Sequence, residues 1–187
     1  MKKTVLILIA LISLSSATAQ IRVGKAILPY EENFGGVELK LNGAGMRQVL
    51  WIDMYAGGLY LAKKSKNPKE ILDANETMAI KLNIVSGFVT QKKMIKAVQD
   101  GFIKATFGNT KTLDERINKF INFFSEPIVK NDIFDLVYVK DKGVVSYKNG
   151  KELGVIEGRD FKYALFKIWL GEQPASEDVK NGMLGIQ

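Results

Sequence analysis

The sequence predicts an α+β fold, a largely antiparallel β-sheet covered on one face by a layer of helices. Two observations lead there. Strand-like alternation and helical periodicity come in separate blocks, in the order strands, helices, strands, helices. Between two short apolar runs near the C-terminus stands Asn149-Gly150, the strongest hairpin signal in the chain. The same pattern also fits a second architecture, a sheet curved into an open barrel.

Residues 1–19 read as a signal peptide and residues 20–187 as one domain. Lys2 and Lys3 form a positive start, an apolar core too short to span a bilayer follows, and Ala17-Thr18-Ala19 matches the small-x-small cleavage pattern. Gln20 is then the expected mature start, and the expected location is secreted across an inner membrane into the periplasm. With no cysteine in the chain, a lipid-anchored lipoprotein is not expected.

Val37, Leu39 and Leu41 alternate with polar neighbours as a half-buried strand. Asn42, Gly43, Ala44 and Gly45 read as a small-residue turn, after which residues 47–61 read as strand again. Gly57-Gly58 inside it marks a bulge or a close backbone approach. Asn67 caps a short helix with Pro68 at its first position. Met78, Ile80, Leu82 and Ile84 alternate as a third strand.

Thr90 caps a long amphipathic helix carrying Met94, Ile95, Val98, Phe102 and Ile103, with Gly108 as its stop. Thr112 and Glu115 form a capping box for a second helix bearing Ile117, Phe120, Ile121 and Phe124. Strands follow at 133–140, 143–147 and 153–156. Residues 158–170 form a helix bearing Phe161, Leu165, Ile168 and Trp169, halted by Gly171, and a last short helix begins near Ser176.

Composition narrows the chemistry. The chain has neither histidine nor cysteine, which removes imidazole bases, thiol nucleophiles, disulfides and zinc sites built on these residues. No acidic ligand motif suggests a metal, and no cofactor is expected. The formal charge is +7, of which Lys2 and Lys3 contribute two. The lysines within 63–69 and 92–96 read as solvated faces, and no nucleic-acid partner is expected. A mildly basic surface suits anionic ligands or an anionic membrane surface. No segment after the leader is long and apolar enough for a transmembrane helix.

Arg47 is the leading candidate for a ligand contact. A guanidinium in an apolar strand is costly to bury unless an anion or polar ligand meets it. Tyr55 lies eight residues further on, so an unbroken strand would put both on one face together with Trp51 and Asp53. A hairpin between them would upset that parity. Asp53 is then either a partner of Arg47 or a sign that the strand turns to solvent. The structural alternatives are that Arg47 closes on a carboxylate and that Tyr55 is a core aromatic.

The order Asn42-Gly43-Ala44-Gly45-Met46-Arg47, an apolar run and then Leu59-Tyr60-Leu61 resembles the chalcone isomerase family, in particular its bacterial chalcone isomerase-like branch. The helix after Thr90 and the segment FKYALFKIWLG at 161–171 carry the same resemblance. It implies an antiparallel sheet under a layer of helices, with a ligand cleft between them. Arg47 matches the family's cleft arginine, which holds a substrate oxyanion in the plant enzymes and a carboxylate in the fatty-acid-binding relatives. Tyr55 falls where the plant enzymes place a water-positioning threonine. Their tyrosine and asparagine on the following helix are not reproduced. Lys93 or Met94, and Asp100 or Gly101, fall there instead. The resemblance therefore implies a small amphipathic or carboxylate ligand such as a fatty acid, and a chain that is not expected to be catalytic. The alternatives are an intramolecular lyase of the chalcone isomerase type and a ligand-free envelope protein.

Overall fold

A computed structural model describes residues 19–186. Residues 1–18, and with them the leader-type segment, lie outside the described residues. The chain enters through two short antiparallel strands, β1 (Gln20–Val23) and β2 (Ala26–Pro29). Seven further strands pair in strict chain order into one antiparallel sheet. They are β3 (Glu31–Phe34), β4 (Val37–Val49), β5 (Ile52–Leu61), β6 (Met78–Ile84), β7 (Ile133–Val139), β8 (Gly143–Lys148) and β9 (Lys151–Ile156). Five helices are inserted: α1 (Pro68–Asp73), α2 (Gln91–Ala105), α3 (Asp114–Ile121), α4 (Arg159–Leu170) and α5 (Glu177–Leu184).

The period-two pattern of the strands sorts side chains onto two faces. Leu59, Leu61, Ile80, Leu82 and Leu136 pack beneath the helices, among Phe102, Phe120, Phe161 and Leu165. The alternate positions Ala56, Tyr60, Ala79 and Val137 pack against Ala26 and Leu28 of the β1–β2 hairpin. Helices thus cover one face, as the sequence predicts, and a hairpin covers part of the other. The first three strands carry no reading in the sequence. They are four residues each, too short to display a period.

Helix starts follow their caps. Asn67 Oδ1 accepts from Lys69 N, Thr90 Oγ1 from Lys93 N, and Ser176 caps α5. The capping box at Thr112 and Glu115 does not form. Helix α3 begins at Asp114 with Leu113 at its cap and no side-chain hydrogen bond there. Arg116 instead donates to the Thr112 carbonyl and forms a two-pronged ion pair with Asp160 at the start of α4.

The largest difference from expectation lies in residues 41–61. They are not a turn followed by one strand but a continuous hairpin, β4 and β5, reversing at Leu50-Trp51. The small residues 42–45 run inside β4, because helix α5 lies directly on that stretch. A Cβ on Gly45 would come within 2.6 Å of the Asp178 carbonyl oxygen, and one on Gly182 within 2.6 Å of Gly45 Cα. Asn42 fastens the same contact, donating from Nδ2 to the carbonyls of Met183 at 2.8 Å and Ser65 at 2.9 Å. Small residues here permit backbone-to-backbone packing of strand and helix.

Candidate functional site

Because β4 and β5 fold back on each other, Arg47 and Tyr55 are directly opposite partners across the two strands. Both reach the helix-covered side, where a cavity of about 400 Å³ lies between the hairpin, α2 and the C-terminal part of α4. Met54, Leu82, Val89, Met94, Val98 and Ile168 give it apolar walls. Its size falls within the range of roughly 300–1,000 Å³ typical of small-molecule sites.

Arg47 is half-buried and, among the described residues, makes no ion pair or side-chain hydrogen bond. Asp53 does not serve as its counter-ion. Its Oδ1 accepts from Gln48 Nε2 at 2.7 Å, next to the exposed tip of the hairpin. The Arg47 guanidinium therefore keeps its donors available to the cavity.

Tyr55 is 9% exposed, and its hydroxyl accepts a hydrogen bond of 3.0 Å from Trp169 Nε1. Burial pushes the phenol above its ordinary pKa, while the Trp169 donor and the nearby Arg47 charge pull it part of the way back. The phenol is thus protonated at neutral pH. With its oxygen occupied by the indole N–H, its own O–H remains to be donated.

Trp51 is not a cleft residue. It occupies the hairpin tip and is 92% exposed, since the chain reverses at the position that an unbroken strand would have directed inward. Of the four residues singled out, the structure brings Arg47 and Tyr55 together on the cavity and leaves Trp51 and Asp53 outside it.

Helix α2 supplies the rest of the wall, including Lys93 and Lys96 from the stretch 92–96 that the sequence reads as a solvated face. Lys93, Lys96, Asp100 and Lys104 border the cavity beside Met94 and Gly101. Lys96 and Asp100 pair with each other at 3.0 Å, whereas Lys93 and Lys104 have no ion-pair partner among the described residues. All four positions left open by the family comparison, Lys93, Met94, Asp100 and Gly101, lie on this wall. The signal was present in the spacing: residues 93, 96, 97, 100, 101 and 104 form one stripe of a helix. Trp169, read from its periodicity as core, is core and polar partner at once.

Two other polar assemblies differ in kind. A groove of about 610 Å³ at the β7–β8 turn is bordered by Asn75, Asp141, Lys142, Glu157 and Arg159, without an apolar lining of comparable extent. On the face opposite the helices, buried Lys81 bridges Glu32 at 3.1 Å and Asp135 at 2.7 Å. Burial raises both carboxyl pKa values against the pull of Lys81. Among the described residues no group of acidic side chains suited to a metal ion occurs, and no helix is long and apolar enough to cross a membrane.

No curated protein matches the chain. Among solved structures, a fatty-acid binding protein of Arabidopsis thaliana superposes with a TM-score of 0.69 over 89% of this chain and 96% of its own, at 19% identity. That likeness establishes the curled antiparallel sheet with its helical layer as a shared fold. A sequence profile described as chalcone isomerase-like matches residues 20–185, nearly the whole of the described chain. By that match, and by the fold, the chain belongs to the chalcone isomerase-like family.

Proposed function

We propose that this protein is an exported, non-catalytic carrier of an amphipathic acid, with a fatty acid as the representative ligand. The observation that carries the reading is Arg47, an unpaired cation standing opposite a hydrogen-bond-donating Tyr55 on the wall of an apolar cavity. A guanidinium fork meets a carboxylate through two parallel hydrogen bonds, and the phenol adds a third donor. The methylene tail lies against Met54, Leu82, Met94 and Ile168, each buried CH₂ contributing about 0.8 kcal/mol. The fatty-acid binding protein of similar fold supports the choice of ligand class. Export is supported by the charged start, short apolar core and Ala17-Thr18-Ala19 pattern of the leader.

Ring-closing catalysis is the competing reading. It requires groups that polarise a ketone and handle a proton, and the wall of α2 offers Lys93, Met94, Asp100 and Gly101 at the positions concerned. Lipid extraction followed by mass spectrometry of natively purified protein tests the carrier reading, together with thermal unfolding in the presence of long-chain acids. A bound acid at a hundred times its Kd stabilises the fold by about 2.7 kcal/mol. Arg47→Ala is expected to lose most of that shift. If no acid co-purifies and added acids leave the wild-type unfolding temperature unchanged, the carrier reading fails. Chalcone turnover lost in Arg47→Ala would put the isomerase reading in its place.

A further inference from the structure

Two of the two-residue hairpin turns of this sheet are built in opposite ways. The β8–β9 turn is Asn149-Gly150, with φ of 51° and 80°, the residues that tolerate left-handed backbone best. The β4–β5 turn adopts the same positive-φ pattern, 48° and 65°, with Leu50 and Trp51. Bulky residues in that region are strained relative to glycine. They also gain nothing by burial, being 77% and 92% exposed. A turn that sacrifices local stability to present leucine and tryptophan to solvent points to something outside the molecule.

The surroundings identify the kind of partner. Val49 and Ile52 flank the tip, each 39% exposed. At the same end of the sheet, the segment after β6 presents Phe88, 59% exposed, and is tied to β5 by the hydrogen bond from Val85 N to Met54 O. The segment before β7 presents Val129, 58% exposed, and is tied to β6 by the bond from Asn131 N to Ile84 O. Three separate loops thus carry apolar tips, not one flat apolar face. Close to Phe88 and Val129 along the chain are Lys92, Lys93 and Lys130, exposed and without ion-pair partners among the described residues, Lys93 Nζ lying 5.7 Å from the centre of the Phe88 ring. Of the acids nearby, Asp132 is paired with Lys148 and Asp53 accepts from Gln48, while Glu126 is exposed and is outnumbered by the three lysines.

We propose that this end of the sheet docks on an anionic lipid bilayer, with Leu50 and Trp51 entering the interface and Lys92 and Lys130 meeting headgroups. Isolated apolar tips among unpaired cations suit a deformable anionic surface better than a rigid protein groove. A tryptophan at the headgroup level is the side chain such an interface favours. The cavity reaches this same end, Val49 and Lys93 both belonging to its wall. Docking would bring that wall close to a source of amphipathic ligand. The docking claim itself does not depend on the ligand reading.

Sedimentation with vesicles of phosphatidylcholine alone, and of phosphatidylcholine with phosphatidylglycerol, tests it on the ligand-free chain that begins at Gln20, so that the apolar leader does not itself bind lipid. Wild type is expected to pellet with the anionic vesicles. Acrylamide quenching reports Trp51 specifically, because Trp169, the other tryptophan, is only 4% exposed. Vesicles should shield it and shift its emission to the blue. The decisive variant is Leu50→Asn with Trp51→Gly. It installs the preferred turn, so it should fold at least as stably as wild type while losing vesicle affinity at least tenfold. Lys92→Gln and Lys130→Gln should each lower affinity for anionic vesicles about fivefold. The proposal is overturned if wild type stays in the supernatant, or if the Asn-Gly variant pellets as wild type does. It is equally overturned if Trp51 is shielded without vesicles in a concentration-dependent manner, the mark of a second copy as occupant. Acid binding, measured separately without vesicles, can succeed or fail independently.

Discussion

The indole N–H of Trp169, on the last turn of α4, donates to the Tyr55 hydroxyl across 3.0 Å at the cavity wall. The bond joins the helical layer to the sheet at the point where a ligand would lie, so the two residues should behave as a pair. Tyr55→Phe leaves a buried indole donor unsatisfied, a loss of about 1–3 kcal/mol. Trp169→Phe leaves the tyrosine oxygen free and adds a packing deficit. The double variant should be less destabilised than the sum of the singles, since no lone partner remains. Urea unfolding of the four proteins measures the coupling, and strict additivity would show that the bond contributes nothing.

Arg47 should control selectivity for acids over chain length. Hydrogen bonds to charged groups contribute about 1.5–3 kcal/mol, so Arg47→Ala should weaken binding of a long-chain acid roughly ten- to a hundredfold. The matching alcohol should bind wild type and variant almost alike, because only the tail is then recognised. Without ligand, Arg47→Ala should be no less stable than wild type, as the guanidinium has no ion pair or hydrogen bond to lose among the described residues. Titration calorimetry with the acid and the alcohol separates these cases. Equal losses for both ligands would place Arg47 in packing, not recognition.

The glycines of the hairpin should differ in tolerance according to what a methyl would strike. At Gly45 it meets main chain of α5, the Asp178 carbonyl oxygen at 2.6 Å and Val179 Cα at 2.8 Å. At Gly57 the nearest atom is Met183 Cε at 2.8 Å, the free end of a flexible side chain. Gly45→Ala should therefore cost at least 2 kcal/mol and loosen α5, while Gly57→Ala should cost about 1 kcal/mol or less. Thermal unfolding ranks the two. The order reverses only if α5 can shift more easily than a methionine can turn.

Much of this architecture was legible because local chemistry and fold agree. Asn67, Thr90 and Ser176 begin helices by a hydrogen bond that each residue makes with its own neighbours. Asn149-Gly150 sets its turn through backbone freedom that no tertiary contact need supply. The failures came where a distant element decides. Residues 42–45 look like a turn until α5, far along the chain, is seen to lie on them. Leu50-Trp51 has none of the chemistry of a hairpin turn, so the strand seemed to continue and Trp51 to face inward. Arg47 stands out by its charge in an apolar run, and the family resemblance adds its own match at Arg47 and at Tyr55; the two border one cavity in spite of that wrong path between them. The lysines within 92–96 read as solvated because a stripe that borders a cavity has the same spacing as one that borders water.

Lys162 offers a test through pH. Its side chain is fully buried in α4, and its Nζ donates to the carbonyls of Ile71 at 3.1 Å and of Leu72 and Ala74 at 2.8 Å, closing the C-terminal end of α1. Burial, then the charge of Arg159, bring its pKa down from 10.5 to about 8. It thus remains mostly charged at neutral pH, as three carbonyl acceptors require. Between about 8 and 10.5 the folded protein has released this proton while the unfolded chain still holds it. Unfolding then takes up a proton, so rising pH disfavours it. The stability of wild type relative to Lys162→Met should therefore be constant below about pH 8 and climb through that window. Chemical denaturation of both proteins between pH 7 and pH 10 measures the difference, and the comparison cancels the other lysines and tyrosines that titrate nearby. A difference that stays flat or falls would mean that the amine remains charged in its carbonyl cage, with the three hydrogen bonds outweighing its desolvation.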